Sequence, residues 1–140
     1  MTQPSDLGPE EQKDLLDSLA STVLSSAPED WQVIAIEFMS VGRHVELGVG
    51  VHDSNGNAVT WEPPAEVDAI FWKLRVGMAR EELGTWFSAL FRLRPPDNYE
   101  ILYNRDHEPP WSAPDESFAQ ELEMFPRSDE NIPSWLSARL

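Results

Sequence analysis

Apolar residues recur at helical spacing near the start of the chain, where Leu15, Leu16, Leu19, Val23 and Leu24 form one stripe and predict an amphipathic helix. Pro9 marks its start, because a first-turn residue needs no backbone donor, and Glu10 and Glu11 complement the positive end of the helix dipole. Ala27-Pro28 ends it. From Trp31 the run WQVIAIEFMSV is apolar at both parities, the pattern of a central or covered strand. Gly42-Arg43 turns it into HVELGVGVH, where alternation is strict: Val45, Leu47, Val49 and Val51 point one way, and His44, Glu46, Gly48, Gly50 and His52 the other. The Asn-Gly pair in HDSNGN is a hairpin signal, so AVTWE is expected to return as a third antiparallel strand.

In the second half, PPAEVDAIFWKLRVGMAREEL places Val67, Ile70, Phe71, Leu74 and Met78 on one helical face, with Gly84 as the stop. TWFSALFRLR follows as a strand whose Thr85, Phe87, Ala89, Phe91 and Leu93 share a face, and Pro95, Pro96, Asp97 and Asn98 turn it into YEILYN. A last helix runs from about Pro114 with the stripe Phe118, Leu122 and Phe125; Phe-Pro breaks it, and IPSWL returns an apolar hook to the body. The predicted fold is one α+β domain over residues 1–140, in the order α-β-β-β-α-β-β-α, with an antiparallel sheet of about five strands packed with helices. Residues 1–8 are expected to be a flexible lead.

A length of 140 residues suits a single core, and 41 % apolar residues with six Trp and six Phe argue for a folded chain. Charge changes the picture more. The net value is −15, from 25 acidic and 10 basic residues, which repels phosphate backbones and anionic lipid. Direct binding of nucleic acid or membrane is therefore not expected. The acid is uneven: residues 1–30 carry 7 acids and 1 base, residues 31–96 carry 8 and 6, and residues 97–140 carry 10 and 3. The absence of Cys excludes disulfides and thiol chemistry, and without a basic-then-apolar leader or a membrane-length apolar run the expected location is cytoplasmic.

Catalytic and metal-binding patterns are missing. His44 and His52 share a strand face but lie eight residues apart, roughly 26 Å in an extended strand, too far to hold one ion together. His107 sits among acids in a loop. Carboxylates are abundant, yet nothing sets one pair apart from the rest as an acid and base of different pKa. Gly48 and Gly50 lie mid-strand, whereas a phosphate loop needs its glycines at the turn that opens a helix. No catalytic residue, cofactor or metal is expected. The same two glycines raise a structural question, since glycine weakens a strand unless something approaches its bare backbone. The favoured occupant is a large ring such as Trp61; the alternative is a partner protein.

The stretch EPPWSAPDESFAQELEMFPR, Glu108 to Arg127, brackets the last helix with proline-fixed aromatic corners. At about 100° per residue, Glu116 and Glu123 fall opposite the apolar stripe while Asp115 and Glu121 flank it. All are expected to face outward. With Asp106, Glu108 and Trp111 just before, the set Asp106, Glu108, Trp111, Asp115, Glu116 and Glu123 forms a candidate binding surface for a basic partner. Trp111 itself suits either an interface anchor or a core position under the Pro109-Pro110 turn.

Two segments, GTWFSALFRLRPPDNYEILYNRDHEPPW and FAQELEMFPRSDENIPSWL, resemble the C-terminal half of the YezG-like immunity proteins, antitoxins to secreted bacterial nuclease toxins. The resemblance covers roughly residues 64–137. It departs at the hairpin turn, where the family commonly has a glycine and this chain has PPDN. It implies a small acidic inhibitor, not an enzyme, that binds a cognate basic toxin domain and covers its active site inside the producing cell. The other reading is an acidic adaptor or structural subunit with a permanent protein partner.

Overall fold

A computed structural model describes residues 7–140. Helix α1 spans Pro9–Leu24, strand β1 Trp31–Val41, strand β2 His44–Asp53, helix α2 Glu66–Gly77, strand β3 Ser88–Arg94, strand β4 Asn98–Asn104, helix α3 Glu116–Met124 and the short helix α4 Ser134–Ser137. The strands form one antiparallel sheet in the order β2-β1-β3-β4. The class is α+β, as the pattern predicts. Strand β1, apolar at both parities, is indeed central. Among the described residues no helix is long and apolar enough to cross a membrane. The flexible lead expected over residues 1–8 falls mainly on residues 1–6, which lie outside the described residues. Leu7 is tied to α2: its N–H donates to the Gly77 carbonyl at 3.1 Å, and its own carbonyl accepts from the Gln12 and Arg80 side chains.

Helices α1 and α2 cover one face of the sheet. There Ile34, Ile36 and Phe38 of β1 and Ala89, Phe91 and Leu93 of β3 are fully buried beneath Leu19, Val23, Val67, Phe71 and Leu74. The two predicted helical stripes therefore point where the 3.6-residue period places them. Phe71 stacks on Phe38 with ring centroids 5.1 Å apart, and Trp86 meets the same Phe38 edge-on at 5.9 Å. A second, smaller core lies at the end of the sheet, where Val41, Phe87, Phe118 and Leu136 are buried among Trp111, Leu122 and Trp135.

Five expectations are corrected. The sheet has four strands, not about five, because AVTWE makes only the single bridge His52↔Ala58 and one bond from Val59 N–H to the Val51 carbonyl before leaving β2. Pro63 and Pro64 cannot donate to a ladder, and Trp61 turns away to give its indole N–H to the Ser26 carbonyl at 2.9 Å. Trp61 consequently packs on the helix-covered core and does not lie across Gly48 and Gly50. Helix α2 ends at Gly77, seven residues before Gly84, and Gly84 instead holds φ +68° with its Cα close against the Arg127 side chain. The alternation of TWFSALFRLR breaks at Phe87: a bend turns Trp86 into the main core and Phe87 into the second one, so Phe87 does not share a core with Ala89, Phe91 and Leu93.

The fifth correction concerns Glu121, which is completely buried and does not flank an outward face. Its carboxylate forms a salt bridge with the equally buried Arg75 guanidinium, which reaches across from α2. Arg75 also donates to the Ser40 carbonyl at 3.0 Å, and the Gly42 N–H donates to Glu121 Oε1 at 2.7 Å. Gly42 sits at φ +57°, and a Cβ there would lie 2.5 Å from the Ser117 carbonyl, so only glycine lets α3 close onto the β1–β2 turn. Burial pushes the Glu121 carboxyl up and the Arg75 guanidinium down, while their attraction opposes both shifts.

Two stability outcomes follow from this packing. Phe71→Ala removes a fully buried ring from the main core and is expected to cost about 3–5 kcal/mol in denaturant unfolding; a loss under about 1 kcal/mol would show that the core tolerates its removal. Glu121→Gln leaves the Arg75 charge buried without its counterion and is expected to cost about 3–5 kcal/mol, whereas the double change Arg75→Met with Glu121→Leu should recover most of that loss. Comparing the midpoints of the single and double variants checks it.

Candidate functional site

The turn after β4 is organised by Asn104. Its amide donates to the His107 carbonyl at 2.8 Å and to the Ser88 hydroxyl at 3.2 Å, and its carbonyl oxygen accepts from the His107 N–H at 3.1 Å. The acidic loop that follows is therefore anchored where it leaves the sheet. Its next support is aromatic. Trp111 meets Phe87, Phe118 and Trp135 edge-on, with centroids 6.1, 6.2 and 5.9 Å away, and Phe87 meets Trp135 at 4.9 Å. Such edge-on pairs add to the burial of the rings themselves. Two arginines cap the cluster, Arg127 over the Phe87 ring at 4.8 Å and Arg139 over the Phe118 ring at 5.1 Å.

Polar bonds join this cluster to the acidic loop. The Trp135 indole N–H donates to the Asp106 carbonyl at 2.7 Å, and the Trp111 indole N–H donates to Glu108 at 3.1 Å. Glu108 also accepts from Arg139 at 2.6 Å. On the other side, the Ser112 N–H donates to Glu46 of β2 at 2.7 Å, and the same carboxylate oxygen lies 2.7 Å from His44 Nε2. The hydrogen bonds from His44 and Ser112 hold the Glu46 carboxyl below the ordinary glutamate range.

The candidate residues thus divide by environment. Asp106 is exposed on the anchored loop, Glu108 is half-buried and engaged with Trp111 and Arg139, and Trp111 is half-buried within the aromatic cluster. Asp115 and Glu116 are exposed at the start of α3, and Glu123 is exposed about 10 Å further along that helix. Free outward charge in this set therefore belongs to Asp106, Asp115, Glu116 and Glu123. Glu108 is occupied in holding the rim together. Trp135 is absent from the sequence-based set although it fixes the Asp106 backbone; the apolar hook IPSWL was the available signal for it.

Beside the loop lies a groove of about 590 Å³ lined by Leu83, Arg105, Asp106, Arg127, Glu130 and Trp135. Its charges nearly cancel. Arg127 is committed to structure, donating to the carbonyls of Asn131, Thr85 and Arg105. Burial lowers its pKa, against the pull of Glu121 and Asp106. Among the described residues no group of three or more His, Asp or Glu is placed to hold a metal ion.

The bond from Ser112 to Glu46 makes the attachment of the loop sensitive to acid. A carboxyl held below its unfolded value, about 4.3, contributes fully above that value and loses its contribution as pH falls through the lower folded value. Hydrogen exchange of the Ser112 amide, corrected for its intrinsic rate, is expected to stay slow at pH 6 and accelerate near pH 3; in Glu46→Gln it should be fast at both. Equal protection in the two proteins at pH 6 would show that Glu46 does not hold the loop. No protein-family profile matches this chain, and no curated protein matches it.

Proposed function

We propose that this protein is an immunity protein: it binds a cognate secreted toxin, a nuclease, one to one in the cytoplasm of the producing cell and covers the toxin's basic active site. It performs no catalysis of its own. The observation that carries this reading is the exposed acid of Asp106, Asp115, Glu116 and Glu123, borne on a loop and helix that an aromatic cluster holds against the body. A nuclease must present cations to a phosphate backbone, and a surface of the opposite sign steers it into encounter. A rigid rim limits the freedom lost on binding, so more of the contact energy appears as affinity. The resemblance of residues 64–137 to YezG-like antitoxins supports the same reading, and the net charge of −15 argues against competition for the nucleic acid itself.

The test uses a basic toxin domain encoded beside the gene for this chain. Changing Asp106, Asp115, Glu116 and Glu123 together to lysine should leave the melting temperature within a few degrees, because all four are exposed and among the described residues none has an ion-pair partner. Association with the toxin should slow at least tenfold at low salt, with a flatter salt dependence. Trp111→Ala should act differently, speeding dissociation and lowering the melting temperature together. Unchanged association of the lysine variant, or retention of duplex DNA by the purified protein at physiological salt, would overturn the reading.

A further inference from the structure

The sheet has a second face, which α3 and α4 cover only at the end near Val41. One row runs straight across it, Gly48 paired with Glu37, Glu37 with Leu90 and Leu90 with Leu102, and the next row begins Gly50, Ala35. Leu102 is 56 % exposed, the most exposed large apolar residue within the strands. An added Cβ at Gly50 would meet nothing within 4 Å, and at Gly48 its nearest neighbours would be Glu37 atoms at 4.0 Å. Neither glycine holds a positive φ, so the backbone does not require glycine at either position. Among the described residues no side chain fills the space. The pair leaves a flat floor about 7 Å long, the length of two residues along a strand and close to that of an indole ring.

Glu37 stands beside this floor. Among the described residues its carboxylate makes no hydrogen bond or ion pair, while Arg92 and Arg94 on the same face are both taken up by Glu100. We infer that this open face, centred on Gly48, Gly50 and Glu37 with Leu90 and Leu102 at its side, is a docking surface for a protein segment that lays an aromatic ring on the glycines and sets a lysine or arginine against Glu37. Glycine in mid-strand weakens the sheet and is retained where another group must approach the backbone. The free carboxylate selects the charge of that group. A second copy of this chain does not fit, since it carries the same net charge of −15 and would bring acid toward acid. A stacked nucleobase does not fit either, because its phosphates meet the same field. This surface borders the acidic loop, whose Ser112 docks on Glu46 two residues from Gly48, but includes none of the exposed acids Asp106, Asp115, Glu116 and Glu123, and the inference does not require the partner to be a toxin.

The probe is a short peptide in which lysine alternates with tryptophan, titrated into the ¹⁵N-labelled full chain at low salt. Amide shifts are expected to concentrate at Glu37, Gly48, Gly50 and Leu102, and to vanish when every tryptophan of the peptide is replaced by alanine or every lysine by glutamate. Gly50→Val is the decisive variant. Its side chain enters open space in a strand that favours β-branched residues, so the melting temperature should hold or rise, while peptide affinity falls at least tenfold. Glu37→Gln should weaken the lysine peptide and leave its salt dependence flat. The inference is overturned if no shift appears at millimolar peptide, if the shifts lie on residues 105–123 instead, or if Gly50→Val binds as the parent does. Sedimentation showing a dimer that Gly50→Val disperses would also overturn it, in favour of self-association.

Discussion

The salt bridge between Arg75 and Glu121 joins parts of the chain that share little else. Arg75 belongs to α2, Glu121 to α3, and the two are 46 residues apart, yet both side chains are wholly excluded from water. The pair also gathers the end of β1 and the turn after it, through the Ser40 carbonyl and the Gly42 amide. The Arg75 backbone carbonyl accepts from the Thr85 hydroxyl at 2.6 Å, and its guanidinium lies 4.9 Å from the centre of the Phe125 ring. Two charges without water require such satisfaction, since an unpaired one would be strongly destabilising. The consequence is directional: α3 cannot slide or rotate on the sheet without exposing one charge or orphaning the other. Every surface that α3 carries inherits its position from this contact.

The second core builds on that position. With α3 fixed, Phe118 faces Val41 and Phe87, and the loop before α3 must cross in front of them. Trp111 and Trp135 close that crossing, and their indole N–H groups reach the backbone and side chain of the same acidic loop. Buried rings with one polar edge suit a place where an apolar core meets a wet rim. Acidic residues are thus held outward by packing underneath them. Glu108 is the exception, its charge offset by Arg139.

The sheet distributes its two faces unequally. One face carries the main core under α1 and α2, and on the other the second core reaches only the end near Val41. A four-stranded antiparallel sheet can remain half open because its backbone groups are satisfied within the ladder and polar side chains can occupy the wet side. Here the wet side holds Glu37, Arg92 and Glu100, but also Leu90, Leu102 and two bare glycines. Such a mixture differs from an ordinary solvated face, which would alternate with long polar side chains. The acidic loop and the open face meet at Glu46, where Ser112 docks, yet their exposed groups differ, and a partner could use one without the other.

Much of this arrangement is written locally in the chain. The stripes Leu19, Val23 and Val67, Phe71, Leu74 reveal both covering helices, the double parity of WQVIAIEFMSV reveals the central strand, and Gly42-Arg43 and PPDN mark the two hairpin turns, because periodicity and turn chemistry act within a few residues. The acidic loop, its exposed carboxylates and the apolar hook were legible for the same reason. What the tertiary structure alone decided lies at longer range. The departure of AVTWE from the sheet depends on where Trp61 finds Ser26, the bend at Phe87 on which core has room for a ring, and the free space over Gly50 on a neighbour that went elsewhere. Glu121 is the clearest case. By helical angle it borders the wet face, as a carboxylate ordinarily would, and only the arrival of Arg75 from 46 residues away makes its burial tolerable. A charge is buried or solvated according to its partner, and a partner so distant in sequence leaves no mark on the residues around it.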